Sequence, residues 1–308
     1  MIDPGQLKKE LSSEKSALSI SGMKVLVKAL HEKMKKKGYA FNSLVLHNDI
    51  ASCKNEWVDF LVHLEKSKKD SSLQTRYQIL CKTEEHWSTV DVQISKGKLS
   101  FFLLDAANSF PHVFSILDTI YTICPDADIH YCGPNIQQDL ESCGYFALDH
   151  AISLAKLKDL HQTLPGLRSS KKIDLFDNFA EMVEYFIESD PYLLLKGTDK
   201  ERLLECAKSL NYVRSDYLPL DYGSLLKNIQ SLSMYKEKFS TREYLRHNGK
   251  KLDDYIMAHT VVSSPSLFTK AKLQNHALRF KKEKLQKIAL DYLEVLSEDT
   301  EKSKLKFT

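Results

Sequence analysis

Glycine is scarce in this 308-residue chain, at 10 residues against about 7% in an average protein. That excludes collagen-like repeats and Gly-rich linkers. No Gly-rich phosphate loop is present, which argues against nucleotide hydrolysis. No apolar run reaches the roughly eighteen residues of a membrane span, so none is expected. Six cysteines are too sparse for a disulfide scaffold. Cys53, Cys81, Cys124, Cys132 and Cys206 show no Cys-x-x-Cys spacing, so zinc is not expected and they read as small core residues. A net charge of +3 is too small for a general nucleic-acid coat. The polar N-terminus, with Lys8, Lys9 and Lys15 among serines, lacks the apolar core of a cleaved secretory signal. A reducing, cytosol-type compartment is the plain reading, unless export follows a route needing no such signal. What is present is 43% hydrophobic and 28% charged, the balance of a globular protein rather than a disordered one.

The apolar pattern divides the chain into three stretches. Residues 1–20 read as a poorly ordered leader. Residues 21–170 read as a mixed helix-and-strand core with N-terminal helices, an α+β arrangement. Met23, Leu26, Val27 and Leu30 predict a helix over 22–37 whose other face is basic, and Trp57, Phe60, Leu61 and Leu64 predict a second over 53–67. Short strands follow at 77–81, 87–94 and 99–105, the last two joined by Ser95-Lys96-Gly97-Lys98, a hairpin signal. Helices are expected over 111–123 and 144–160, with a strand at 129–132 between them. Residues 171–308 are mainly helical. Phe176, Phe179, Met182 and Phe186 share one helix face, 210–270 is irregular, and 278–296 is a strong helix with Leu285, Ile288, Tyr292 and Leu296 inward.

Four residues carry chemistry in this frame. Cys143 stands directly before Gly144 at a predicted helix N-terminus, where free N–H groups and the helix dipole favour a thiolate. A thiol nucleophile needs a base, and His86 opens a strand. With Lys96 and Gly97 central in the hairpin, Asp105 falls opposite Ser88 and diagonal to His86 on the same face. A carboxylate there can hold the imidazole in its working tautomer. Gln137, six positions before Cys143, can donate to the oxyanion of a tetrahedral intermediate, as can the Cys143 N–H.

This order resembles the cysteine-dependent YopJ family of bacterial effector acetyltransferases. The segments that carry the resemblance are His86-Trp-Ser-Thr-Val-Asp91, Gly97-Lys98 through Asp105-Ala-Ala-Asn108, and Gln137 through Cys143-Gly144-Tyr-Phe146-Ala-Leu148. The clear match covers roughly 77–160. Many members have Glu at the position of Asp105, with Pro soon after in place of Ala106-Ala107. The resemblance implies a ubiquitin-like-protease-type, cysteine-protease-like catalytic core with a helical accessory or regulatory region. It makes His86 the general base, Asp105 the orienting acid, Cys143 the nucleophile and Gln137 the oxyanion donor. It implies acetyl transfer from acetyl-CoA, through an acetyl-Cys143 enzyme, to Ser, Thr or Lys of host proteins, signalling kinases among the candidates. It implies export from a bacterium without a cleaved signal and action in the host cytosol.

The family's accessory region is activated by inositol hexakisphosphate. A polyphosphate needs several cations, and 270–287 supplies Lys270, Lys272, Arg279, Lys281, Lys282, Lys284 and Lys287 against Glu283. Of these, Arg279, Lys281, Lys282, Lys284 and Lys287 on the last helix are the expected binding residues, with the Lys24–Lys37 helix as an opposite wall. Two rival readings stay open. The same triad with Gln six before Cys serves ubiquitin-like isopeptidases, which also often carry His-Trp at the base position. A non-catalytic adaptor would use the helical half to bind a host protein, and would have no need of all three triad residues.

Overall fold

A computed structural model describes residues 4–13, 17–49, 54–167, 179–189, 200–262 and 273–305. Its centre is a six-stranded mixed sheet in sequential order: β1 (Ser43–His47), β2 (Thr75–Thr83), β3 (His86–Ser95), β4 (Lys98–Leu104), β5 (Asp128–Cys132) and β6 (Asn211–Tyr212). The β3–β4 hairpin has the expected register, with Ser95 opposite Lys98. Lys96 and Gly97 both take positive φ, 53° and 74°. That is the backbone of the primed two-residue turn, whose twist matches its strands. β2, β3 and β4 are antiparallel neighbours, while β1, β5 and β6 join in parallel.

Both faces of the sheet are covered, so its strands read as near-continuous apolar runs rather than as alternation. On one face Ile79, Val90, Val92, Phe101 and Leu103 meet α3 (Glu56–Ser67) and α4 (Phe110–Ile123). On the other, Leu80, Trp87, Phe102 and Leu104 meet α2 (Ile20–Lys35) and α5 (Cys143–Leu154). After α6 (Leu160–Thr163), the chain continues through α7 (Phe179–Ser189), α8 (Lys200–Ser209), α9 (Leu232–Phe239), α10 (Leu252–Ala258) and the long α11 (Ala277–Leu305). Of the expected inward residues of α11, Leu285 is buried while Leu296 is 43% exposed, which corrects that assignment. Phe176, Lys270, Lys272 and Cys53 lie outside the described residues.

The stretch expected to be a poorly ordered leader carries α1 (Pro4–Ser12). Leu7 and Leu11 lie one helical turn apart, and with Leu18 they are buried in the α5-side core. Their spacing gives α1 an apolar stripe that the serines and lysines around it obscure in the sequence.

α5 ends at Leu154, short of residue 160. Arg76 on β2 takes the terminal carbonyls, donating from Nη2 to Leu154 O at 2.9 Å and from Nη1 to Leu157 O at 2.6 Å. The same guanidinium forms a two-point pair with the fully buried Asp91, at 2.7 and 2.9 Å. His161 and Gln78 also bond that carboxylate. Arg76→Met leaves Asp91 short of its main counter-charge, and breaking a buried pair from one side costs roughly 3 kcal/mol. Urea unfolding of the variant reads that loss directly. A change below about 0.5 kcal/mol, the range of ordinary surface substitutions, would show that Arg76 does not anchor α5.

Candidate active site

β3 begins where antiparallel β4 ends, which brings His86 and Asp105 to the same end of the sheet. His86 Nε2 lies 2.5 Å from Asp105 Oδ2, and Ser88 Oγ donates to the same oxygen at 2.7 Å. Asp105 Oδ1 accepts from the Ala107 and Ser109 amides as the chain turns into α4. The carboxylate is fully buried. Burial alone would raise its pKa, but bonds from His86, Ser109 and Ser88 hold it below the usual carboxylate range. The hairpin arithmetic is therefore reproduced in side-chain contact.

Asp105 occupies Nε2, so Nδ1 is the ring nitrogen left for the thiol. The Cys143 sulfur lies 3.9 Å from the carbonyl oxygen of Glu85, the residue before His86, and acts on the imidazole. Burial works against a charged imidazole here. The Asp105 carboxylate and the Cys143 sulfur outweigh it and push His86 up to about 10. An imidazolium in that place is the counter-ion a thiolate needs.

Cys143 is the first residue of α5 and is buried. The glycine after it has a packing reason. A Cβ on Gly144 would sit 3.2 Å from Leu18 and 3.3 Å from the Trp87 ring. The Trp87 indole donates to Leu18 O at 2.9 Å. His-Trp and Cys-Gly are thus two sides of one contact, closed by the N-terminal segment.

Gln137 reaches this end of the sheet because Ala106 O, one residue past Asp105, accepts from the amides of Ile136 and Gln137. Its side-chain Nε2 donates to Asp139 O at 2.6 Å, and its Oε1 is buried with no partner among the described residues. Asp139 pins the loop that leads into Cys143, accepting from the amides of Glu141 and Ser142 and from Ser142 Oγ. Gln230 braces the same loop from the accessory region.

Sequence reasoning passed over three residues. Asp139, three before Ser142, is signalled only by a turn-forming Asp-x-x-Ser. Ser88 shares a face with His86 and was legible as the residue opposite Asp105. The sequence offers no partner for His112, yet its ring stacks on His86 with centroids 5.1 Å apart and planes 23° from parallel. Its place in the first turn of the helix after Asp105 is the one signal it gives.

The five basic residues expected on α11 fall into separate environments. Lys281 and Lys284 share a field of cations with Lys33 and Lys37 of the α2 end, Lys156 beyond α5, and Arg246. Burial and then Lys284, Lys37 and Lys281 lower Lys33. Burial and then Lys281 and Lys37 lower Lys156, though Asp149 partly opposes them, and Arg246 lowers it further. Arg279 and Lys282 instead line a cavity of about 530 Å³ beside Ser142, Gln138, His276 and Gln286. Lys282 Nζ sits 4.9 Å from the centre of the Tyr145 ring. Lys287 is exposed.

A buried cysteine at a helix start, near an imidazole backed by a buried carboxylate, is an arrangement able to support thiol-dependent acyl transfer. The model of the YopJ serine/threonine acetyltransferase family matches residues 6–288, and the chain belongs to that family. Its fold is shared with solved structures at low sequence identity. A deletion form of AvrA, with IP6 and CoA, is 16% identical, covers 94% of this chain and 99% of its own, and superposes with a TM-score of 0.55. HopZ1a in complex with IP6 and CoA is 11% identical, covers 95% and 91%, and gives 0.59. No curated protein sequence matches the chain. No described helix is long and apolar enough to cross a membrane.

Proposed function

We propose that this acetyltransferase works through Cys143, His86 and Asp105, takes acetyl groups from acetyl-CoA and passes them to hydroxyl or amine side chains of host proteins. The observation that supports it most is the 2.5 Å His86–Asp105 bond, with the Cys143 sulfur 3.9 Å from the carbonyl oxygen of Glu85, the residue before His86. Cys143 sulfur attacks the thioester carbonyl, a C–S bond forms, and the CoA thiolate leaves with the proton His86 supplies. The acceptor hydroxyl or amine then attacks the acetyl-cysteine while His86 takes its proton, and the C–S bond to Cys143 breaks. In this reading the Cys143 N–H at the α5 start and the second Gln137 amide hydrogen serve as donors to the developing oxyanion. The cavity lined by Arg279 and Lys282 suits the donor's phosphates, and its size is that of a small-molecule site.

The cation field around Lys33, Lys37, Lys156, Arg246, Lys281 and Lys284 fits inositol hexakisphosphate, the ligand in the AvrA and HopZ1a structures. Lys33 and Lys156, both half-buried and both lowered by burial and by neighbouring cations, are stabilised in their charged form by a polyanion. The test is self-labelling with radiolabelled acetyl-CoA, with and without inositol hexakisphosphate. Label that increases with the polyphosphate is the expected result. No label in either case would sink the acetyl-transfer chemistry, and equal label in both would remove the activator. A ubiquitin-type probe that coupled to Cys143 would point to the isopeptidase instead.

A further inference from the structure

α5 carries one carboxylate deep in a helix whose residues are all buried. Asp149 lies six residues after Cys143, so the two are about 9 Å apart along the axis at 1.5 Å per residue. Its side chain is 3% exposed. Lys227 Nζ approaches Oδ2 at 2.6 Å, Lys281 Nζ approaches Oδ1 at 2.8 Å, and Asn228 Nδ2 donates to Oδ2 at 2.6 Å. Lys227 is held further by Ser153 Oγ and Ser224 O. One end of the catalytic helix thus holds the thiol, and its middle grips two lysines from the accessory region.

Lys281 has two neighbours of opposite kind. One is Asp149, 2.8 Å away; the others are Lys33 and Lys156, on which its charge acts, within the cation field assigned above to the polyphosphate. Side-chain exposure of 24% leaves it partly open to a ligand. Resting on that assignment, we propose that Asp149 is a positioning residue. It ties α5, and so Cys143, to Lys281, so that polyphosphate occupancy of the cation field fixes the nucleophile's helix.

Without the polyphosphate, Asp149 is the anion nearest to Lys281 and Lys227, and repulsion from the other cations strains the grip. A bound polyphosphate neutralises those cations and holds Lys281 from its far side. The chain phosphate–Lys281–Asp149–α5 is then fixed at both ends. Coupling between two sites is measured as a difference in free energy between states, so it can be lost while ligand affinity is kept. This separates a coupling residue from a ligand contact.

The experiment compares wild type, Asp149→Asn, Asp149→Glu and Lys281→Gln. Binding of inositol hexakisphosphate is measured by calorimetry, and self-acetylation with and without saturating ligand gives the activation ratio. Asparagine removes an anion that competes with the ligand, so Asp149→Asn is expected to bind within about threefold of wild type or more tightly. Its activation ratio is expected to fall at least tenfold, with partial recovery in Asp149→Glu. Lys281→Gln, at a partly exposed position, covers the case of an Asp149 variant that does not fold. Its activation stays low even at saturating ligand. An Asp149→Asn or Lys281→Gln protein with the wild-type activation ratio would overturn the inference. So would loss of affinity and activation in equal measure. Wild-type protein that binds no inositol hexakisphosphate would overturn the activator assignment itself, whereas a normally activated Asp149→Asn overturns only the coupling.

Discussion

Cys143→Ala is expected to abolish acetyl transfer. The acetyl-enzyme cannot form without the sulfur, and removing the nucleophile of a covalent mechanism costs at least about 10³-fold. Mass spectrometry of the intact protein after incubation with acetyl-CoA and inositol hexakisphosphate should find an acetyl adduct on wild type and none on the variant. The fold should survive, because among the described residues the thiol's hydrogen bonding amounts to a long 3.9 Å contact to Glu85 O. A serine substitution should be equally inactive. Serine keeps the shape but its alkoxide is far harder to form, and His86 is tuned to hold a proton beside sulfur. Retention of wild-type labelling by Cys143→Ala would remove the sulfur from the mechanism and leave a ternary complex, with direct attack by the acceptor, as the alternative.

The second large effect is expected at Asp105. Asp105→Asn keeps the size of the side chain and removes its charge, and the corresponding change in a serine triad costs about 10⁴-fold. A loss between about 10² and 10⁴ is expected here. The pH behaviour makes the result specific. His86 in the native state is held up to about 10, above the ordinary histidine value near 6.5. Its contribution to stability is therefore fully present below about 6.5 and is lost as pH rises through about 10. In Asp105→Asn the main force raising that pKa is gone and burial remains, so the imidazole becomes neutral at lower pH. Wild-type protein should lose stability between neutrality and pH 10 along this limb, and the variant should lose much less. Thermal melts of both proteins across that range read the difference. Parallel curves would mean that Asp105 does not hold the proton on His86.

The parts of the fold legible in the sequence were those governed by neighbours along the chain. The β3–β4 hairpin follows from a two-residue turn that demands positive φ, and its register then places Asp105 beside Ser88 and His86 without further information. The start of α5 follows from the apolar run after Cys143. Elements governed by distant partners were hidden. β1 and β6 are short strands that exist because β2 and β5 offer them parallel edges. α1 has two leucines and a polar surround, and its largest contact is with α11 at the other end of the chain. The end of α5 depends on Arg76, some eighty residues earlier. At the site, the order His86, Asp105, Gln137, Cys143 was readable. The stacking of His112, the bracing of the loop by Gln230 and the double grip on Asp149 were not, since each joins segments that no local pattern connects. The basic residues show the same limit. Their number on α11 was plain, but the helix turns Lys281 and Lys284 toward one partner and Arg279 and Lys282 toward another.

One contact has a consequence for when the enzyme becomes active. Gln286 of α11 donates to Ser13 O and to the Tyr145 hydroxyl, both at 3.1 Å. The first of these bonds joins residues 273 positions apart. Tyr145 is two residues from the nucleophile, and Leu18, five residues past Ser13, lies against Gly144 and Trp87. A chain emerging in order from a ribosome, or threading through a narrow channel, has the His86–Asp105 hairpin early and must wait for α11 before the thiol's helix is clasped from both sides. Closure of so long a loop is a late event in folding. On that ground the clasp of α11 on the start of α5 is expected to form after the β3–β4 hairpin.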